Sequence, residues 1–234
     1  MGIIDIKGNI VSNDVGEFYE WFGISSTYPD KVQQAIASNE DDEITLNIAS
    51  NGGDVFAASE IYTMLKDSKK NIVVNVQGLA ASAASVIAMA GNIVRMSPTS
   101  QMMIHKASVV AYGNADDLGH ESDVLNSIDE SIAMAYELKT GMNQTDILQL
   151  MSTETWMNAK AAVDKGFADE IMFNDADEEP TFENALLGNL PSKAAINKFR
   201  NLIAKQKNNT GPSQPKNSLR EQKLAILLGK KGGN

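Results

Sequence analysis

The sequence predicts an α/β fold made of successive βα units, and three observations lead there. Short apolar, β-branched stretches alternate with longer amphipathic ones through the first 175 residues. From Asn174 the texture changes to an acidic break followed by a polar, basic segment. At 234 residues and 43% hydrophobic content, the chain can bury one sizeable core with a portion left over. The expected organisation is a body at residues 1–175 and a flexible C-terminal extension at 176–234.

Strands are expected at residues 3–6, 44–48, 72–76, 93–96, 102–105 and 170–173, each a short apolar run. Helices are expected at 29–37, opening on Pro29 where a first-turn proline is tolerated, then at 55–66 and in the small-residue stretch 83–90. Further helices follow at 117–140, 144–151 and 159–165. The longest carries Leu118, Val124, Leu125, Ile128, Ile132, Ala135 and Leu138 at the spacing of a one-sided face. A helix of that length in so small a domain is expected to project and pack against another subunit. Beyond Asp175, Asp177, Glu178, Glu179 and Pro180, residues 205–217 read as a linker containing Gly211, Pro212 and Pro215. Ser218-Leu219-Arg220-Glu221 has the capping-box pattern and opens a short terminal helix over 224–228.

Composition narrows the function. The absence of cysteine excludes disulfides, thiolate nucleophiles and cysteine-ligated zinc. Met1 to Lys7 has no basic start and apolar core of a signal peptide, and no run approaches the roughly 20 apolar residues of a membrane span. A cytoplasmic, soluble protein without a membrane partner is therefore expected. The net charge of −10 is uneven: residues from Lys193 onward carry +9, and residues 1–192 carry −19. That balance argues against nucleic acid as a partner of the body; the tail would suit water, an acidic protein surface or nucleic acid. The two histidines, His105 and His120, are separated and the carboxylates scattered without ligand spacing, so no metal and no cofactor are expected. A glycine-rich, lysine-terminated phosphate loop is also missing, so any ATP-driven unfolding would fall to a separate protein.

Ser82 stands out because it lies between the apolar run 72–76 and the small-residue helix from Ala83. There, unpaired backbone N–H groups at a helix start would face a developing oxyanion. A serine nucleophile also needs a base, a group that orients the base, and oxyanion donors. Of two histidines, His105 ends the strand Met102-Met103-Ile104, whereas His120 sits among Asp116, Asp117, Glu121 and Asp123 on the polar side of the long helix and reads as a surface residue. Donors are sought in Ser50-Asn51-Gly52-Gly53, where paired glycines permit unusual backbone angles and a close approach of substrate. A tight turn feeding a helix is the alternative there.

Ser50-Asn51-Gly52-Gly53, Gly78-Leu79-Ala80-Ala81-Ser82-Ala83 and Met102-Met103-Ile104-His105, in that order, resemble the Clp-type serine peptidases. Trp156-Met157-Asn158-Ala159 and Gly166-Phe167-Ala168-Asp169-Glu170-Ile171 resemble that family's closing segment. Leu79 to Gly91 and Glu154-Thr155-Trp156 are similar to the Clp-related head maturation proteases of tailed phages and prophages. The resemblance spans about residues 1–173. It implies the Clp and crotonase type of fold, a spiral of βα units with a projecting handle helix at 117–140, and subunits assembled into rings. It also implies a serine endopeptidase acting on capsid or scaffold proteins in the host cytoplasm. Carried over position by position, Ser82 is the nucleophile and His105 the general base. The N–H groups of Gly53 and Ala83 form the oxyanion hole, with Gly52 beside the substrate.

The third triad position, aspartate in Clp peptidases, falls on Glu154. A working substitution is one reading, a surface acid the other, and Asp169 is the nearest rival, with a structural role more in keeping with its strand-opening position. Ser85 reads as packing, Asn51 replaces the family's usual proline, and Met96, Met102 and Met103 read as core filling. Two other functions stay open: a ring-forming scaffold component that binds through its basic tail, and a crotonase-type acyl-CoA enzyme.

Overall fold

A computed structural model describes residues 2–173, within the first of two units, Met1–Asp175 and Ala176–Asn234. The expected linker at 205–217 and terminal helix at 224–228 lie outside the described residues. The first half runs β1 (Gly2–Ile10), α1 (Asn13–Phe22), β2 (Ser26–Thr27), α2 (Pro29–Ala37), β3 (Glu43–Gly53), α3 (Val55–Asp67) and β4 (Asn71–Ala81). Then come α4 (Ala83–Ala88), β5 (Ile93–Met96), β6 (Gln101–Ile104), α5 (Ala115–Thr140), α6 (Gln144–Ser152), β7 (Thr155–Asn158), α7 (Ala159–Asp164) and β8 (Glu170–Ile171).

Six strands form a parallel sheet in the order β2-β1-β3-β4-β5-β8, the α/β architecture expected of βα repetition. Register explains which residues enter the core. Ile4, Leu46, Val74 and Val94 align across four strands, and Ile6, Ile48, Val76 and Met96 form the next row on the same face. All eight are buried, each removing apolar area worth about 1.5–3 kcal/mol for the larger side chains. The row between them, Asp5, Asn47, Asn75, Arg95 and Glu170, faces the other way and is polar. A period of two therefore sorts the sheet into an apolar face and a polar one.

The feature that positions the site is the length of β4. Its first half, Val73–Val76, pairs with β5; its last three residues, Leu79–Ala81, pair with β6 instead. β6 then carries β7 antiparallel on its other edge, with Met103 opposite Trp156 and Ile104 opposite Thr155. Strands β1, β3 and β4 all run several residues beyond their apolar cores, because ladder pairing holds the polar and small residues extended.

The structure adds three elements to those expected. Helix α1 carries Val15, Phe18 and Trp21 toward solvent, so its pattern lacks a buried stripe, and Gly16 in its middle is required by the Tyr28 ring, 2.2 Å from where a Cβ would stand. Strand β2 is a two-residue pairing with β1, and β7 takes its state from β6. Helix α5 starts two residues earlier than expected, on a capping box formed by Asn114 and Asp117. Its first turns are exposed through His120, while Asp129, Ile132, Ala133, Ala135 and Tyr136 are buried. Among the described residues, no helix is long and apolar enough to cross a membrane.

Helix α3, which follows the glycine pair, is capped by Asp54, whose side chain accepts the N–H groups of Phe56 and Ala57 at 2.8 and 3.1 Å. Asp54→Ala is expected to cost about 1 kcal/mol of stability, read as a lower urea midpoint with an unchanged slope.

Candidate active site

Ser82 is the first residue after β4 and the N-cap of α4, at φ 53° and ψ −125°. Positive φ is strained for a residue with a Cβ, and it is the geometry of a sharp strand-to-helix turn that exposes a side chain. Three contacts hold it. The Ser82 N–H donates to Met103 C=O at 2.9 Å, continuing the β4–β6 ladder by one residue. Ser85 Oγ donates to the Ser82 carbonyl at 2.6 Å. Gly52, at φ 93°, packs so close that a Cβ would lie 2.6 Å from Ala81 O and 2.8 Å from Ser82 Cβ.

His105 follows β6 directly. Met102 and Ile104 point into the core, so Met103 and His105 take the opposite, half-buried face. The imidazole Nε2 lies 2.7 Å from Ser82 Oγ, within hydrogen-bond distance. With Nε2 accepting from the hydroxyl, the proton of a neutral ring sits on Nδ1. The structure thus brings Ser82 and His105 together from positions 23 apart in sequence. His120 is exposed on α5.

Gly53 and Ala83 both line the cleft at Ser82 and His105, which has a volume of about 280 Å³. The amides on either side of Gly53 are engaged: Asp54 N–H donates to Ile10 C=O at 2.9 Å and Gly52 N–H to Ser50 Oγ at 3.1 Å. Ala83 N–H, at the first position of α4, has no intrahelical acceptor. Gly52 is placed differently from Gly53 and Ala83. Its N–H is taken by Ser50 Oγ, it is buried, and it does not line the cleft. Its place is behind the nucleophile turn, where backbone approaches backbone. Ser50 in turn donates to Gly8 C=O at 2.6 Å, which ties the glycine segment to β1.

The last β6–β7 pair is Ile104 with Thr155, and His105 and Glu154 are the residues that follow β6 and precede β7. Glu154 is exposed at φ 47°, and its Oε1 accepts the Trp156 indole N–H at 3.2 Å. Among the described residues, no hydrogen bond joins His105 to a carboxylate. Asp169 is engaged elsewhere: its Oδ2 accepts Val94 N–H and pairs with Lys139 Nζ, each at 2.6 Å. It ties the approach to β8 onto β5 and α5. Met96 and Met102 are buried as core, Met103 half-buried, and Asn51 is exposed. Among the described residues, no group of His, Asp or Glu side chains could hold a metal ion.

Two buried polar residues went unread in the sequence. Tyr136 lines the cleft and sets its hydroxyl 2.7 Å from Ser85 Oγ; burial pushes its pKa up, so it stays a protonated donor. Asp129 is 3% exposed and accepts the Ala107 N–H at 2.7 Å. An acid and a tyrosine on the stripe occupied by Ile132 and Ala133 are the signal that would have found them.

Residues 28–175 match the model of the Clp protease family. The chain belongs to that family. Its Clp relatives include the ATP-dependent Clp protease proteolytic subunit of Deinococcus radiodurans, 29% identical over 138 residues, covering 58% of this chain and 68% of the relative. Proteolytic subunit 1 of Chlamydia abortus is 32% identical over 142 residues, covering 58% and 73% respectively. Proteolytic subunit 2 of Thermobifida fusca is 29% identical over 143 residues, covering 60% and 70%. The protein is accordingly a serine-type peptidase of Clp fold.

Because Gly52 packs on the Ser82 turn at positive φ, Gly52→Ala is expected to slow fluorophosphonate labelling of the serine by about 100-fold, the cost of an ångström-scale displacement. Asp169→Ala is expected to lower the urea midpoint while leaving labelling unchanged, since its bonds are structural.

Proposed function

We propose that this Clp-type peptidase is an endopeptidase that cuts capsid or scaffold proteins during head assembly of a tailed phage or prophage, with Ser82, His105 and Glu154 as its triad. The observation that carries the catalytic part is the 2.7 Å contact between His105 Nε2 and Ser82 Oγ at a strained strand-to-helix turn. Ser82 Oγ attacks the scissile carbonyl carbon while its proton passes to His105 Nε2. The carbonyl oxygen becomes an oxyanion held by the N–H groups of Gly53 and Ala83. His105 then gives the proton to the leaving amine as the C–N bond breaks; water attacks the acyl carbon while its proton passes to the same nitrogen, and that proton returns to Ser82 Oγ as the acyl C–O bond breaks.

Glu154 is assigned the orienting role because it immediately precedes the β7 residue that pairs with Ile104, the neighbour of His105 in sequence, and occupies the family's acid position. To act, its carboxylate exchanges the Trp156 indole for the His105 Nδ1–H, a side-chain rotation at an exposed site. The phage assignment is supported by the sequence from Leu79 to Gly91 and by Glu154-Thr155-Trp156. In this reading residues 1–175 form the peptidase domain and 176–234 a separate extension. Subunits assemble into rings in the host cytoplasm, and the exposed part of α5 is the handle that joins one ring to another. The names of the relatives favour a second reading, a proteolytic subunit supplied by an ATP-driven partner.

Wild-type protein is expected to react with a fluorophosphonate, and Ser82→Ala to lose both labelling and peptide cleavage. No labelling, or cleavage unchanged in Ser82→Ala, overturns the serine assignment. Glu154→Ala is expected to lower kcat on the order of 10²–10⁴-fold with KM little changed. A loss confined to stability would return Glu154 to a surface role. Unassisted cutting of a phage capsid precursor, with folded unrelated proteins left intact, separates the first reading from the second.

A further inference from the structure

Helix α5 sends two buried polar side chains to the two sides of the serine–histidine pair. On the serine side, the Tyr136 hydroxyl lies 2.7 Å from Ser85 Oγ, and Ser85 Oγ lies 2.6 Å from the Ser82 carbonyl. A serine has one hydroxyl proton, and here it goes to the carbonyl; the tyrosine is therefore the donor in the other bond. On the histidine side, Asp129 Oδ1 accepts the Ala107 N–H at 2.7 Å, and Ala107 is two residues past His105. Lys106 Nζ stands 3.5 Å from the other carboxylate oxygen. Residues seven apart lie on one helix face, separated by about 10.5 Å along its axis.

Packing alone would not select these side chains. Ser85 is fully buried, Tyr136 is 1% exposed and Asp129 3% exposed. Buried polar groups cost stability unless bonded, and apolar groups of similar volume would fill the same space. Here the hydrogen bonds of Ser85 and Asp129 go to backbone near a reacting side chain, that of Tyr136 goes to Ser85, and Asp129 has a further ion pair with Lys106.

Building on the proposed roles of Ser82 and His105, we infer that Tyr136, Ser85 and Asp129 are positioning residues through which α5 sets Ser82 Oγ against His105 Nε2. Tyr136 donates to one lone pair of Ser85 Oγ and so keeps the serine's proton on the Ser82 carbonyl, which holds the strained turn. Asp129 stops the chain after β6 from swinging away and fixes the backbone that carries the imidazole. One rigid helix thereby holds both ends of a proton transfer that requires hydrogen-bond contact.

The test uses full-length Tyr136→Phe, Ser85→Ala, their double variant, Asp129→Asn and Asp129→Leu. Its readouts are the rate of fluorophosphonate labelling at Ser82, kcat and KM on a fluorogenic peptide, and melting temperature. Tyr136→Phe and Ser85→Ala are each expected to lower labelling and kcat by about tenfold, with KM within about twofold. The double variant should fall no further than Ser85→Ala, because both hydroxyls act through one chain. Asp129→Leu should lose a comparable factor, and Asp129→Asn, which keeps an oxygen for Ala107 N–H, should recover most of it. If Asp129→Leu does not fold, Asp129→Ala carries the same comparison. Labelling unchanged in the hydroxyl variants, losses that multiply in the double variant, or a loss carried by KM overturns the inference. An unlabelled wild type overturns the serine reading and this inference together; a labelled wild type with unaffected variants overturns the inference alone.

Discussion

The bond from Ser82 N–H to Met103 C=O, 2.9 Å long, is the constraint on which the site depends. It extends the β4–β6 ladder past its last pair, Ala81 with Met103, and so ties the residue after β4 to the end of β6. His105 lies two residues beyond Met103 and takes the same strand face, because side chains alternate. Pairing of the two strands and their period of two are then enough to bring an imidazole to the hydroxyl. This is possible only because β4 outlasts its pairing with β5 and passes to a second neighbour.

Holding Ser82 at φ 53° costs on the order of 1–3 kcal/mol, which surrounding contacts must offset. The amide is taken by β6, the carbonyl by Ser85, and the space behind the turn is closed by Gly52. Two of the three contacts, from Met103 and Gly52, come from distant parts of the chain, so the strained conformation is held by more than its own turn. Strand β3 joins in by ending beside the turn, where its glycines allow the backbone to come closer than any side chain would permit. In the same pair Gly53 lines the cleft while Gly52 gives its amide to Ser50. Tight packing and cleft lining are thus divided between neighbouring residues.

Legibility in the sequence followed how local the cause was. The strands around Ile44–Ile48 and Ile72–Val76 were readable because β-branched runs report burial directly. Helix α1 was not, since Val15, Phe18 and Trp21 face solvent and Gly16 is explained by a ring twelve residues away. Strand β7 was not, because Thr155–Asn158 is extended by pairing with β6. In the site, Ser82 and His105 were legible through a junction and the scarcity of histidine. Glu154 was legible as a position, but its bond to Trp156 was not. Asp129 and Tyr136 lay in plain view on the expected helix, yet their partners are 22 and 51 residues distant.

By itself the sequence determined the alternation of strands and helices, the resemblance to Clp peptidases and a short set of candidates for nucleophile and base. These follow from residue type and spacing, which act over a few neighbours. Only the tertiary structure decided that β4 would be shared by β5 and β6, that Gly52 would sit behind Ser82 and Gly53 beside it, and that α5 would reach both sides of the pair. Those outcomes depend on register between segments far apart in the chain, and register is chosen by how whole faces pack, not by the preference of any one residue.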